Sequence, residues 1–221
     1  MADQHRAADD ALGTPKPEEL NALLPAYEVK QLVARGSMGA VYLGRQKSLD
    51  RDIALKVLPR KFGSDPVFRA SFEEEARTMA RLRHPNLIGV HDFGEIKGYL
   101  YLIMDFVDGK SLRNSARGRA IAQKTAAQVV LSICKGLAQA HKAGIAHRDL
   151  KPSNILIGSN REPRIGDFGL VGHSNGTEDC ASPQYSSPEA MQDPSKANER
   201  SDVYSVGVIL YELLTGELPG E

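Results

Sequence analysis

The hydrophobic pattern of this chain changes from β-rich to helical near residues 106–109, and that change restricts the fold more than any other feature of the sequence. Before it, residues 27–58 hold short runs rich in β-forming residues, separated by turns that contain Gly and Asp, which predict an antiparallel sheet. The apolar residues of 66–83 recur every three or four positions, which predicts a helix. Beyond the change, residues 124–142 predict a long amphipathic helix.

We therefore expect an α+β fold with two lobes. A small lobe over residues 27–106 would hold the antiparallel sheet and one main helix, and a larger, mainly helical lobe would cover residues 107–221. Residues 1–26 are polar and contain several prolines, which predicts a mostly disordered leader with room for a short helix over residues 18–24.

The composition excludes several classes of partner. Lys plus Arg and Asp plus Glu both number 28, so the zero net charge argues against nucleic acid or an anionic membrane as the main partner. The two cysteines, Cys134 and Cys180, fit a reducing cytosol better than a disulfide-stapled secreted domain. The sequence contains no signal peptide and no membrane-spanning segment, so we expect a cytoplasmic protein. A membrane anchor in a further C-terminal portion is kept as an alternative.

One polar motif carries the strongest chemical signal, and it reads His147-Arg148-Asp149-Leu150-Lys151-Pro152-Ser153-Asn154. A short apolar run and then Asp167-Phe168-Gly169 follow it. Phosphoryl transfer from ATP needs Mg²⁺, which prefers a few hard oxygen ligands, and the Asp167 carboxylate and the Asn154 amide oxygen meet that need. Asp149 is placed to orient the attacking hydroxyl and take its proton, while Lys151 can neutralise charge on the moving phosphoryl group.

This set of motifs resembles that of the protein kinases, from about Tyr27 to the last residue. The resemblance implies a two-lobed, protein-kinase-like fold that uses ATP and Mg²⁺. The run Asp149-Leu150-Lys151-Pro152 is similar to that of bacterial-type serine/threonine kinases. The implied reaction is transfer of the γ-phosphate of ATP to Ser or Thr hydroxyls of protein substrates.

The resemblance also implies a lysine that holds the α- and β-phosphates and a glutamate that pairs with it. Lys56 matches the lysine, since it lies on a predicted strand in Ile53-Ala54-Leu55-Lys56. Glu73, Glu74 and Glu75 are all candidates for the partner. We select Glu75 from its spacing to the turn that follows the helix.

Further nucleotide contacts are implied in the same way. Residues 34–41 resemble the Gly-rich loop that covers the phosphates, although Ala34 stands where the family has its first glycine. The implied loop contacts are Gly36, Ser37, Met38 and Gly39. The adenine edge would meet the backbones of Asp105 and Val107, and the ring would lie against Val41, Ala54 and Leu156.

Two features outside the nucleotide contacts are also implied. Asp202 is expected to hold the catalytic loop by hydrogen-bonding the backbone near His147. The segment from Asp167 to Glu189 resembles an activation segment, in which Ser174 and Thr177 are candidate phosphorylation sites. Whether phosphorylation controls the protein stays open.

The resemblance implies that the helical lobe is incomplete. The chain stops soon after a predicted helix over residues 203–214, whereas family members continue with further helices, one of which carries an arginine that pairs with the glutamate matched by Glu189. We expect a fragment of a longer product or a truncated, poorly stable relative. The alternative function is an inactive nucleotide-binding pseudokinase or scaffold. A small-molecule kinase is disfavoured by Ser187-Pro188-Glu189, which resembles a segment of protein kinases.

Overall fold

The computed structural model describes residues 14–36, 38–116, 118–168 and 183–220. The chain divides into two compact units. The first unit consists of the chain up to Ala80 together with Val90–Phe106, and the second consists of Arg81–Gly89 together with the chain from Val107 onward. The first unit is rich in strands and the second is mainly helical, which confirms the predicted α+β class.

The described part of the first unit forms a five-stranded antiparallel sheet in the order β1-β2-β3-β5-β4. Its strands are β1 (Tyr27–Gly36), β2 (Gly39–Gln46), β3 (Arg51–Val57), β4 (Val90–Ile96) and β5 (Tyr99–Asp105). The sequence pattern predicts strands over residues 27–34, 40–45, 52–58 and 99–105, which lie within two residues of the observed bounds of β1, β2, β3 and β5. The pattern also predicts a strand over residues 87–93, but β4 begins at Val90, because Leu87 pairs instead with Ile165 of the second unit's own sheet.

The helices described in the first unit are α1 (Pro17–Leu23), α2 (Arg60–Gly63) and α3 (Pro66–Arg81). α3 is the predicted main helix. Its apolar stripe is buried as the periodicity requires, through Phe68, Phe72, Ala76 and Met79.

The short helix allowed for over residues 18–24 is present as α1, but residues 14–26 pack on the sheet instead of forming a disordered leader. Leu20 and Leu24 of this segment are buried in the same apolar cluster as Tyr27 and Val29 of β1. The Asn21 side chain donates to the Val29 carbonyl at 3.0 Å and accepts the Val29 N–H at 2.7 Å. Burial of the two leucines and these hydrogen bonds offset the entropy of ordering the segment. Residues 1–13 lie outside the described residues.

The second unit is built around two packed helices, α5 and α7. Its described elements are β6 (Gly109–Ser111), α4 (Leu112–Ala116), α5 (Gln123–Lys142), β7 (Ile155–Gly158), β8 (Pro163–Ile165), α6 (Pro188–Gln192) and α7 (Glu199–Thr215), with short 3₁₀ turns at Pro152–Asn154, Pro183–Tyr185 and Pro194–Lys196. β6, β7 and β8 form an antiparallel sheet in that order. None of the helices in the described ranges combines the length and apolar character needed to cross a membrane.

Residues 81–89 differ from the division predicted from sequence, which put them in the first lobe. The Asn86 side chain donates to the Pro163 carbonyl at 2.9 Å, and the Asn86 carbonyl accepts the Ile165 N–H at 2.9 Å. Ile88 donates its N–H to the Ile165 carbonyl, also at 2.9 Å. These bonds tie the turn after α3 to β8, so it belongs to the second unit.

α7 begins and ends with recognisable caps. The Asn198 side chain accepts the Arg200 N–H at its start, and Gly216 ends it in the left-handed conformation with φ of 83°. One side of α7 is buried through Val206, Val208, Ile209 and Leu213. Val203, Tyr204, Tyr211 and Leu214 are exposed large apolar residues of the same helix.

Candidate active site

Asp202, near the start of α7, fixes the loop that follows α5. Its side chain is fully buried, and Oδ2 accepts the backbone N–H of His147 at 2.8 Å while Oδ1 accepts that of Arg148 at 2.8 Å. The predicted bond between Asp202 and the backbone near His147 is therefore confirmed. Oδ2 also lies 2.7 Å from Nε2 of His141, near the end of α5. His141 was not singled out from the sequence, because no local pattern shows that a residue of α5 contacts a residue of α7.

The hydrogen bonds to Asp202 account for an unusual backbone. Arg148 has φ of 66°, in the left-handed region that residues other than glycine rarely adopt. Such a conformation costs on the order of 1–3 kcal/mol and persists only where its surroundings enforce it. A buried carboxylate in turn needs several donors. Asp202 and the Arg148 backbone therefore stabilise each other.

His147 connects this loop to the segment before Asp167. Its Nε2 lies 2.9 Å from the Gly166 carbonyl, which can only accept, so we assign the proton to Nε2. Nδ1 then accepts the Asp149 N–H at 3.4 Å. The imidazole also contacts the Phe168 ring in a tilted arrangement, with 4.7 Å between centroids and 43° between the ring planes. One neutral tautomer thus satisfies both ring nitrogens.

Asp149 and Lys151 form a short ion pair in this loop. Nζ of Lys151 lies 2.7 Å from Oδ2 of Asp149, and the two side chains are 21% and 8% exposed, respectively. The structure therefore brings together the two residues that the sequence assigns to proton transfer and charge neutralisation. The pair presents a carboxylate beside a fixed positive charge, in a largely buried position.

Asn154 ends the 3₁₀ turn after Lys151, and its side-chain orientation is set by one hydrogen bond. Nδ2 donates to the Asp149 carbonyl at 2.9 Å, so Oδ1 is the atom turned away from that carbonyl. In the described part of the chain Oδ1 receives only a long 3.5 Å contact from the Ser153 hydroxyl. The amide oxygen is thus the atom that could bind a metal.

Asp167 comes directly after Gly166, whose backbone is hydrogen-bonded to that of Asn154. The Gly166 N–H donates to the Asn154 carbonyl at 2.9 Å, and Asp167 itself has φ of 59°. Within the residues described, no group of three or more His, Cys, Asp or Glu side chains has an arrangement that holds a metal alone. One carboxylate and one amide oxygen fit Mg²⁺ bound together with substrate phosphates, the mode that this ion commonly uses.

Lys56 lies at the centre of the first unit's sheet. On β3 it pairs with Val41 of β2 and Leu102 of β5, and it is only 4% exposed. Lysine is rarely so buried unless its ammonium group has a specific partner or ligand. This position suits a charge that is held in a fixed place.

The three candidate glutamates of α3 differ in their surroundings. Glu73 binds Arg77 one turn later at 2.8 Å on the helix surface, and Glu74 is exposed. Glu75 is half-buried, and its Oε2 is shielded from solvent. These environments favour Glu75 as the functional residue of the three.

The two glycines of the β1–β2 hairpin have different structural requirements. Gly39 has φ of 114°, and a Cβ there would collide with the Val57 carbonyl oxygen, so the hairpin itself requires glycine. Gly36 lies outside the left-handed range, and a Cβ there would enter open space. Met38 is half-buried, and Ser37 lies outside the described residues.

The other residues assigned to the nucleotide lie at defined places in the two sheets. Val41 is half-buried on β2, and Ala54 pairs with Met104 across β3 and β5. Asp105 ends β5 and Val107 follows it, while Leu156 lies on β7 of the second unit. Oδ1 of Asp105 also lies 2.7 Å from Nε2 of His91 on β4, a contact that sequence reasoning missed.

The described end of the segment that resembles an activation segment, residues 183–189, is tied to α7. The Glu189 carboxylate accepts the Ser201 hydroxyl at 2.8 Å, and Tyr185 donates its hydroxyl to Oε2 of Glu212 at 2.7 Å. Ser205 donates to the Tyr185 carbonyl at 2.8 Å. The candidate phosphorylation sites Ser174 and Thr177 lie outside the described residues.

Comparison with known proteins gives three concordant results. A family model described as "Protein kinase domain" matches residues 27–221. The serine/threonine-protein kinase pkn3 of Myxococcus xanthus is 40% identical over 211 residues, which cover 88% of this chain and 38% of that protein. The serine/threonine-protein kinase PknL of Mycobacterium tuberculosis is 40% identical over 215 residues, which cover 94% of this chain and 53% of that protein.

A solved structure gives the same picture. The crystal structure of the Mycobacterium tuberculosis PknI kinase domain matches with a TM-score of 0.75 and 28% identity, over 89% of this chain and 77% of that one. The chain spans 38% and 53% of the lengths of the two curated relatives.

Proposed function

The chain belongs to the protein kinase domain family, and from this premise we propose that it transfers the γ-phosphate of ATP to serine and threonine hydroxyls of protein substrates. The observation that carries the proposal is the 2.7 Å pair of Asp149 and Lys151 on a loop fixed by the buried Asp202. The relatives that are named serine/threonine-protein kinases support the same reaction.

Proton transfer is assigned to Asp149. Its carboxylate orients the attacking hydroxyl and accepts its proton as the new oxygen–phosphorus bond forms and the bond from the γ-phosphorus to the β–γ bridging oxygen breaks, which releases ADP. Lys151 places a positive charge beside that carboxylate and opposes the negative charge that gathers on the transferred group. Because the loop is bonded to Asp202 through two backbone N–H groups, the base is held in place before substrate binds.

Mg²⁺ is assigned to Asn154 and Asp167. The ion would neutralise phosphate oxygens and so lower the charge that the nucleophile meets. Support comes from the Asn154 side chain, whose nitrogen is engaged by the Asp149 carbonyl and whose oxygen is therefore the ligand atom. Asp167 is the residue after Gly166, which donates its backbone N–H to the carbonyl of the same asparagine.

Nucleotide contacts in the first unit are assigned to Lys56, Glu75 and the β1–β2 hairpin. Lys56 would hold the α- and β-phosphates, with Glu75 as the residue that positions it. The open space at Gly36 supports this assignment, since the fold itself gives no reason for glycine there. Close approach of the Gly36 backbone to a bound phosphate would give such a reason. Val41 and Ala54 are assigned to the adenine ring.

The acceptor residue is the feature to test. The chain, supplied with Mg²⁺ and ATP labelled at the γ-phosphate, is given four peptides that differ only in a central Ser, Thr, Tyr or Ala. We expect label in the Ser and Thr peptides and background counts in the other two. Label in the Tyr peptide, or in none of the four, would contradict the proposed function.

A further inference from the structure

We propose that the second unit has a groove beside its catalytic loop which selects protein segments with acidic side chains near the acceptor hydroxyl, and that Arg113 and Lys110 determine this selectivity. The inference rests on the proposed function and names the substrate class for the same site. It comes from two cavities of the second unit and from the charges that line them.

The first cavity adjoins the candidate base. It has a volume of about 180 Å³, and its lining includes Lys151, Ser153, Arg113, Tyr185 and Glu212. Lys151 is bonded to Asp149 at 2.7 Å, so the cavity begins one side chain away from the carboxylate that would receive the proton. A substrate whose hydroxyl reaches Asp149 would therefore place neighbouring side chains in this cavity.

The second cavity continues the first away from the loop. It has a volume of about 600 Å³, and Lys110, Asn114 and Gly118 line it together with Arg113 and Glu212. Arg113 and Glu212 line both cavities, so the two adjoin at these side chains, and together they are called the groove. Two adjoining cavities suit an extended segment with several side chains, rather than a single small ligand.

Two of the positive side chains that line the groove are available to bind a ligand. Lys110 and Arg113 are exposed and form no ion pair or side-chain hydrogen bond with any residue that the structure describes. The guanidinium group of Arg113 can bind a carboxylate through two parallel hydrogen bonds. Lys151, by contrast, is engaged by Asp149.

The one carboxylate among the described lining residues is already used. Oε2 of Glu212 accepts the Tyr185 hydroxyl at 2.7 Å, which ties α7 to the turn at Pro183–Tyr185. A basic substrate side chain would have to share that carboxylate and also lie close to Arg113. An acidic side chain meets two unpaired cations instead, so the charges favour an acidic substrate.

Binding of three fluorescein-labelled peptides tests this selectivity without any need for catalysis. The peptides share a central threonine and differ only in flanking Glu, Gln or Lys residues, and their affinity for the full chain is measured by fluorescence anisotropy. We expect the Glu peptide to bind more tightly than the Gln peptide by about two- to fivefold for each cation, as for exposed ion pairs, and the Lys peptide to bind most weakly. The difference should shrink as salt is added.

Variants assign the effect to the two cations. Arg113→Gln and Lys110→Gln should each reduce the preference for Glu, and Arg113→Glu should reverse it toward the Lys peptide. Lys135→Glu is the matched control, because Lys135 is an exposed cation on α5 and lines neither cavity. Circular dichroism checks that each variant is folded, and the two Gln variants keep the test valid if the charge reversal is not tolerated.

The outcomes separate this inference from the proposed function. Equal affinity for the three peptides, preference for the Lys peptide, or no binding of any peptide would overturn the inference. Phosphate transfer to the same peptides is measured in parallel. Transfer without acidic preference overturns the inference alone, whereas acidic preference without transfer supports the groove and contradicts the proposed function.

Discussion

The carboxylate of Asp202 accepts the backbone N–H of His147 at 2.8 Å, and both residues are fully buried. The two residues lie on different elements, α7 and the loop after α5, so this bond sets the position of the loop relative to the helix core of the second unit. Asp149 lies two residues further along the same loop. The placement of the candidate base therefore depends on a residue that does not contact substrate.

Replacement of Asp202 by asparagine should destabilise the chain and reduce phosphate transfer. The amide has one accepting atom where three donors converge, so at least one buried donor loses its partner. Loss of a hydrogen bond to a charged group costs about 1.5–3 kcal/mol. Urea unfolding measures the change. Asp193→Asn, at an exposed surface turn, is the control, and an equal effect of the two variants would show that Asp202 has no special role.

Asp167→Asn should remove most of the Mg²⁺ dependence of ATP binding while it leaves the fold intact. Asparagine tolerates the left-handed backbone of Asp167, where φ is 59°, so the change isolates the loss of charge. ATP affinity is titrated against Mg²⁺ for both proteins. If the two respond alike, the metal site lies elsewhere.

Gly39→Ala should reduce stability, whereas Gly36→Ala should weaken ATP binding and leave stability nearly unchanged. The alanine Cβ at position 39 meets the Val57 carbonyl in a left-handed backbone, so we expect a loss of stability of about 1–3 kcal/mol or more. At position 36 the space is open, so stability should change little while the KM for ATP rises. Thermal melting and ATP kinetics on both variants check this. An unchanged KM in Gly36→Ala would remove Gly36 from the nucleotide contacts.

Leu20→Ala should destabilise the first unit, because Leu20 is completely buried in the apolar cluster of the sheet. Truncation of a buried leucine costs about 2–5 kcal/mol. Glu18→Ala on the same helix is the control, since Glu18 is exposed. Similar melting temperatures for the two variants would show that α1 adds nothing to the stability of the sheet.

The sequence pattern located most strands and helices because each has its own local repeat. It also placed Asp149, Lys151 and Asn154 in one loop, since a short motif holds all three. It allowed for the short helix within residues 14–26 but failed to predict that this segment packs on the sheet, because a helix of 7 residues with one buried leucine carries too little periodicity to show where it packs. It failed again for residues 81–89, since their pairing with Ile165 joins distant parts of the chain.

Contacts between residues that are distant in the chain could not be predicted from the sequence either. His141 meets Asp202 across two helices, and His91 meets Asp105 across neighbouring strands. Arg113 and Glu212 share a groove although they are far apart in the chain. His141, His91, Arg113 and Glu212 carry no local sequence signal for these contacts, so only the folded structure reveals them.

The rate of γ-phosphate transfer to a threonine peptide, compared between the unaltered chain and Asp149→Asn, tests the central claim most directly. Asparagine keeps the size of the side chain but can neither accept the proton nor pair with the Lys151 charge. We predict that kcat falls about 10²- to 10⁴-fold, the usual contribution of a general base, while the affinity for ATP changes little. Transfer at an undiminished rate in the variant would contradict the assignment of Asp149 as the base.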